Sequence, residues 1–221
     1  MDVLQALKER RSCRAFLDKT VTLEQVAEIL NAARFAPSGV NTQPWQVIAL
    51  GPTTKSKLCQ GIICQREAAI APNPDYDYYP KEWFEPYKSR RKACGQALYG
   101  ALGIGLEETE KRKIAWYRNY HFFGAPVGLL FMVEKKLALG SWLDSGMFIQ
   151  SVMLAAQGLG LASCPQAAMV EYPDLIRALI PGLEPYALIC GMAIGYADET
   201  AAVNRFRTER VGLETFFRFV E

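Results

Sequence analysis

"APSGVNTQPWQVIAL", Ala36 to Leu50, changes character halfway along. Its first half is a proline-opened loop of small and polar residues. Its second, "QVIAL" (Gln46 to Leu50), is an apolar run closed by Gly51–Pro52 and predicts a buried strand. Upstream, Leu23, Val26, Ile29, Leu30 and Ala33 recur at helical spacing, so Thr22 to Phe35 predicts a helix. Thr22 with Gln25 makes a capping box at its start, and Pro37 forces its end. Helix, polar loop and buried strand in direct succession are the unit of an α/β protein.

The alternation continues outward. Residues 2–11 predict a short helix, and Lys55 to Glu67, about Arg91 to Leu106, Glu108 to Asn119, Leu143 to Gln157 and "YPDLIRALI" predict further ones. "APVGLLFMVEK" (Ala125 to Lys135), "LASCPQ" and "YALICGMAIGYA" predict strands. Such strands need helices on both faces of the sheet, so the expectation is one α/β domain spanning residues 1–221. One stretch differs. "APNPDYDYYPKEWFEPYKSRR" (Ala71 to Arg91) is too rich in proline for regular structure and too rich in rings for a free linker, which predicts an ordered, lid-like excursion over about residues 70–91.

Composition excludes several functions. A net charge of +2 gives no general affinity for nucleic acid or membranes, and no apolar run is long enough to span a bilayer. The six cysteines follow no framework spacing; with no signal peptide evident, free thiols and a cytoplasmic location are expected. His121 is the sole histidine and sits among aromatic residues, so neither a zinc site nor a Ser–His or Cys–His pair is expected. There is no GxSxG elbow and no P-loop. "GALGIG" has the wrong glycine order for a dinucleotide fingerprint, and "GLGLASC" follows a helix where that fingerprint needs a strand.

The arginines remain. "LKERRSCRAF" (Leu7 to Phe16) carries Arg10, Arg11 and Arg14 around Ser12, and "NRFRTER" (Asn204 to Arg210) repeats the pattern with Arg207 and Arg210. Guanidinium forks engage two phosphate oxygens at once, so these clusters ask for an anion. A solvated basic helix end complementing the helix dipole is the competing reading of the first cluster. Ser38, Asn41, Thr42 and Gln43 offer hydrogen bonds suited to a polar heteroaromatic ring, or else simply turn the chain. "SCPQAA" (Ser163 to Ala168) is a strand exit whose backbone amides are free to donate.

In this order the stretches resemble the FMN-dependent nitroreductase family. "RRSCRAF" matches its RRSxRxF signature and "APSGVNTQPWQV" its PSxxNxQPW signature. "MLAAQGLGLASCP" resembles its central helix and following strand, and "CGMAIGYADETAAVNRFRTER" its closing strand and basic motif. "PDYDYYPKEWFEPY" and "GSWLDSGMF" look closest to a nitrobenzoate-reductase-like branch. The resemblance implies a mixed central sheet flanked by helices in an intertwined homodimer, with the apolar tail "LETFFRFV" embracing the partner.

It also implies a site. Arg10, Arg11, Ser12 and Arg14 would hold the FMN phosphate and ring edge, Arg210 the phosphate with Arg207 beside it, and Arg14 would face N1/O2. Pro37, Ser38, Asn41 and Gln43 would come from the partner chain. Pro165, Gln166 and Ala167 would run along the flavin, a backbone N–H of Gln166 or Ala167 facing N5, while Trp83 and Phe84 would stack on flat substrates. Many members place an asparagine and a lysine on the flavin beyond the PW motif; in "REAAIAPNPDYDYY" neither is assigned, and Asn73 is no more than a candidate for the asparagine. The implied activity is reduction of nitroaromatics, quinones or similar flat acceptors by NADH or NADPH through FMN, with no catalytic side chain. The fold also hosts reductive dehalogenation, flavin fragmentation and dehydrogenation, and a non-catalytic flavin-binding or sensing role stands as the alternative of another class.

Overall fold

A computed structural model describes residues 2–221. Helices form at Val3–Glu9 (α1), Leu23–Ala33 (α2), Pro52–Glu67 (α3), Tyr87–Ala101 (α4), Thr109–Tyr117 (α5), Leu139–Gly158 (α6) and Pro173–Leu179 (α7). Strands form at Trp45–Leu50 (β1), Val127–Glu134 (β2), Ala162–Gln166 (β3) and Tyr186–Gly195 (β4).

The capping box read from the sequence closes α2: Gln25 N donates to Thr22 Oγ1 at 3.2 Å and Thr22 N to Gln25 Oε1 at 3.0 Å. Such a cap contributes about 1 kcal/mol. Tyr196 brings β4 to the same corner, its hydroxyl accepting from Gln25 Nε2 at 3.2 Å.

The sheet runs in the order β1-β2-β4-β3, every ladder antiparallel. Beside this antiparallel sheet one isolated parallel bridge, Ser12 to Ser163, sets the chain before α2 against the outer edge of β3. Successive residues of β2 point to opposite faces: Leu129 and Phe131 join α2 and α6, whereas Leu130 and Met132 join α3 and α7. Both faces are covered, which is why β2 reads as an unbroken apolar run.

Beside Ile189 the register of β4 against β2 slips, so Leu188 faces the α3 side and Cys190 the α6 side. Beyond the last residue paired with β3, the exposed edge of β4 is capped by the excursion. Asp75 accepts from Leu188 N at 3.0 Å and the Tyr76 hydroxyl donates to Ile189 O at 2.6 Å. Arg177 of α7 grips both Asp75 carboxylate oxygens, at 2.7 and 2.6 Å. The proline-rich stretch is therefore ordered because an otherwise unpaired strand edge holds it. It lacks regular structure up to α4, which begins a little earlier than its sequence pattern indicates.

Candidate functional site

The RRSCR loop hangs from two buried supports. Cys13 N donates to Ser163 O at 3.0 Å, and the fully buried Cys13 thiol donates to Ala15 O at 3.1 Å. Burial pushes that thiol's pKa up, so Cys13 is a packing residue that turns its neighbours outward. On the other side stands Asn204, 1% exposed, whose Oδ1 accepts from Arg14 N at 2.8 Å. Its Nδ2 donates to Ala15 O at 2.7 Å and to Asp198 O at 2.9 Å. The N-terminal and C-terminal basic stretches are thus one structure, joined by one amide.

This juxtaposition sets the electrostatics. Half-buried Arg10 lies against Met153 of α6 and close enough to Arg210 that burial, and then the field of Arg210, lower its pKa. Among the described residues, Arg10, Arg14, Arg207 and Arg210 form no ion pair with a carboxylate. Arg210 instead donates to its own loop, to Thr208 Oγ1 at 2.6 Å and Glu209 O at 2.9 Å. Among the described residues neither Arg10 nor Arg210 has a carboxylate partner, so both can meet an anion. Arg11 behaves differently. It pairs with Glu199, so its charge is already answered.

Behind the arginines opens a cleft of about 920 Å³ between β3 and the layer of α4, α5 and the excursion. Arg14, Pro165, Gln166 and Ala167 line it, as do Cys164 and Arg118. Arg118 donates to Arg14 O at 3.1 Å and so positions the arginine loop. Gln166 is 2% exposed; its Nε2 donates to Asn119 O at 2.5 Å, while Oε1 is buried with no partner. Gly191 of β4 lets the turn after Gln166 close on the sheet, since a Cβ there would lie 2.5 Å from Met169 Cγ. Burial raises the Cys164 thiol to about 11, which leaves it neutral in the cleft wall.

Other expected site residues lie elsewhere. Trp83 and Phe84 are outside the cleft: Trp83 packs on Tyr79 and under Arg91, and exposed Phe84 packs on Tyr87. The rings that line it are Tyr76, Tyr78 and Tyr79 from the anchored excursion, Tyr99 from α4, Trp116 from α5 and Phe123 from the turn after it. Asn73 does not face the cleft either; it bonds Asp174 through its side chain and Glu171 O through its backbone, pinning the excursion to α7. His121 is exposed and is not among the residues that line the cleft, although Asn119 and Phe123 on either side of it are.

Pro37, Ser38, Asn41 and Gln43 form a tight, exposed turn in which Val40, Asn41 and Gln43 have positive φ (44°, 59° and 49°). Ser38 Oγ accepts from Gln43 N at 3.0 Å, and Gly39 N donates to buried Asp144 near the start of α6 at 3.2 Å. Arg10 meets α6 at Met153, nine residues or about 13.5 Å further along that helix. Within one chain, then, the loop and the arginine cluster do not meet.

The residues fit FMN. Unpaired guanidiniums answer a dianionic phosphate, the cleft has the volume for a tricyclic ring, and the orphaned Gln166 Oε1 is an acceptor awaiting a donor. Sheet and site together define an α/β protein whose arginine cluster and cleft suit a phosphorylated, flat heteroaromatic ligand. The chain belongs to the nitroreductase family, whose model matches residues 7–196. It is 34% identical to the chloronitrobenzene nitroreductase of Comamonas testosteroni over 97% of this chain and 95% of that one. It is 35% identical to the 4-nitrobenzoate reductase of Pseudomonas putida over 96% and 92%. The crystal structure of the FMN and NADPH-dependent nitroreductase NfnB from Sphigopyxis sp. strain HMH superposes with a TM-score of 0.95 at 38% identity, covering 100% of both chains.

Proposed function

We propose that the chain is an FMN-dependent oxidoreductase, a single domain that works as a homodimer in the cytoplasm and uses NADH or NADPH to reduce nitroaromatics, quinones or similar flat acceptors. The unpaired Arg10–Arg210 pair beside a cleft walled by Arg14 and Pro165–Ala167 is the observation that carries this reading. FMN, when bound, supplies the redox chemistry by taking hydride from the nicotinamide and passing electrons to the acceptor.

The chain's own residues do the rest. Arg10 and Arg210, with Arg207 and Ser12 near them, neutralise the phosphate. Arg14, fixed through its backbone by Asn204 and Arg118, sets a positive charge against the ring, favouring its anionic reduced form. Gln166 is held by Asn119 so that Oε1 accepts a hydrogen bond from the ring or the ligand stacked on it. Tyr76, Tyr78 and Tyr79, rather than Trp83 and Phe84 of the same chain, give flat acceptors a stacking wall and keep water out.

The dimer completes the site. The loop carrying Pro37, Ser38, Asn41 and Gln43 cannot reach its own chain's arginines, but a partner's loop can. Phe216, Phe217, Phe219 and Val220 are all exposed at the C-terminus, an apolar surface that a second copy buries. Sedimentation should give a dimer, and Phe216→Ser with Phe219→Ser should yield monomers that lose flavin.

The deciding test is the visible spectrum of the purified protein followed by anaerobic addition of NADH and NADPH. A yellow protein that bleaches supports the reductase. One that stays yellow with both donors moves the reading to flavin binding without catalysis. A colourless protein that refuses added FMN overturns the flavin site.

A further inference from the structure

The cleft holds charges that the flavin reading does not use. Its lining includes Arg14, Arg118, Arg112, Lys88, Arg91 and Lys92, against the carboxylates of Asp77 and Glu171. Glu171 is already satisfied by Arg66 at 2.5 Å and the Tyr120 hydroxyl at 2.8 Å. Arg14 and Arg118 belong to the arginine loop, and Arg112 is stacked on the Tyr99 ring, 3.7 Å from its centroid.

Lys88, Arg91 and Lys92 are left, against the single carboxylate of Asp77, and their placement on α4 is unusual. An amphipathic helix turns its apolar stripe inward and its charges to open solvent. The residues of α4 that line the cleft are Lys88, Arg91 and Lys92 in its first half and Cys94, Gly95, Gln96, Leu98 and Tyr99 beyond them. The cations are gathered at one end of the helix, ahead of uncharged residues. None of the three cations forms an ion pair with a carboxylate among the described residues; Arg91 is steadied over the Trp83 ring at 5.1 Å, and that ring packs on Tyr79. A positive mouth therefore leads into a wall of rings.

We propose that Lys88, Arg91 and Lys92 form an anion subsite at the mouth of the cleft, for a ligand that carries an oxyanion on one end and lays a flat ring among Tyr76, Tyr78 and Tyr79. This rests on the reductase reading, and it assigns Trp83 a positioning role, through Arg91. Two ligands of that reaction have the required chemistry: the 2′-phosphate of NADPH, and a carboxylate on an aromatic acceptor. The subsite makes the enzyme prefer the charged member of a pair, NADPH over NADH or 4-nitrobenzoate over nitrobenzene. It is separate from the flavin phosphate site, because Arg10 and Arg210 are not among the residues that line the cleft.

The test compares the native protein with K88Q/R91Q/K92Q and with the charge-preserving K88R/R91K/K92R. All three positions are exposed and α4 has no buried residue, so the glutamine variant keeps its fold, and its flavin content checks this. In anaerobic stopped-flow the ratio of bleaching efficiency with NADPH to that with NADH should fall roughly tenfold in the glutamine variant and survive in the charge-preserving one. Calorimetry with adenosine 2′,5′-bisphosphate against 5′-AMP reads the same preference without turnover. If those ratios hold but kcat/KM for 4-nitrobenzoate over nitrobenzene collapses, the subsite stands and its anion is the acceptor's carboxylate. If neither pair is discriminated, or discrimination survives loss of all three charges, the proposal is overturned. A native protein that lacks flavin defeats the reductase reading instead, and the bisphosphate titration then still decides the subsite.

Discussion

Asn204 reaches across the chain to Arg14: its Oδ1 takes the Arg14 backbone N–H at 2.8 Å while its Nδ2 serves Ala15 O at 2.7 Å. One buried amide therefore ties the C-terminal basic stretch to the N-terminal one. Asn204→Ala leaves the Arg14 N–H without its acceptor, while Ala15 O and Asp198 O keep other donors; an unpaired buried donor costs about 1–3 kcal/mol. Urea unfolding should show that loss, and FMN binding should weaken in parallel because Arg14 and Arg210 are no longer held in register. Unchanged flavin affinity in a destabilised variant would mean that the two stretches act separately.

Arg10 and Arg210 repel one another in the unliganded chain. Arg10→Ala should leave the apoprotein at least as resistant to urea as the native chain, yet release FMN. A lost charge-assisted phosphate contact is worth about 1.5–3 kcal/mol, so FMN affinity should fall about ten- to a hundredfold. Arg11→Ala should matter far less, its guanidinium being engaged by Glu199. Fluorescence titration of FMN into the three apoproteins ranks them.

Burial raises the thiols of Cys59 and Cys164 to about 11 and that of Cys190 to about 12. A thiol with its pKa raised by folding binds more protons folded than unfolded, so stability is intact below the ordinary thiol range and falls as pH climbs past about 9. Unfolding free energies from urea titrations at pH 8 and pH 10.5 should differ by about 1 kcal/mol or more per buried thiol, and Cys190→Ala, though less stable, should flatten the slope. At pH 8 a thiol reagent should label Cys64 and Cys94 in the native protein and the remaining four only after unfolding.

Asp75 holds the excursion through Arg177 and Leu188 N. Asp75→Ala removes three charge-assisted bonds and uncovers the edge of β4, at a cost of about 2–4 kcal/mol. Brief proteolysis should then cut within residues 70–86, where the native chain resists. Activity toward flat acceptors should drop with flavin retained, because the tyrosine wall loosens while the arginine loop stays in place.

The α/β class, the capped α2, β1, the apolar runs of β2 and β4 and the two arginine clusters were legible because each rests on local periodicity, caps or charge density in adjacent residues. Cys13, Asn204, Arg118 and the tyrosine wall were not. Cys13 is a packing residue because Ser163 and Ala15 close around it, and nothing in "RRSCRAF" states that. Arg11 and Arg14 look alike in sequence, and only the distant Glu199 separates them. Trp83 and Phe84 look equally suited to stacking in the sequence, but the cleft received Tyr76, Tyr78 and Tyr79, because Asp75 and Tyr76 dock on a β4 edge whose exposure follows from strand order and β3 length. Sequence by itself settled what local hydrogen bonding and hydrophobic alternation decide. Tertiary structure alone decided which charges lack a partner and which rings share a wall, since both depend on segments that folding brings together from far apart in the chain.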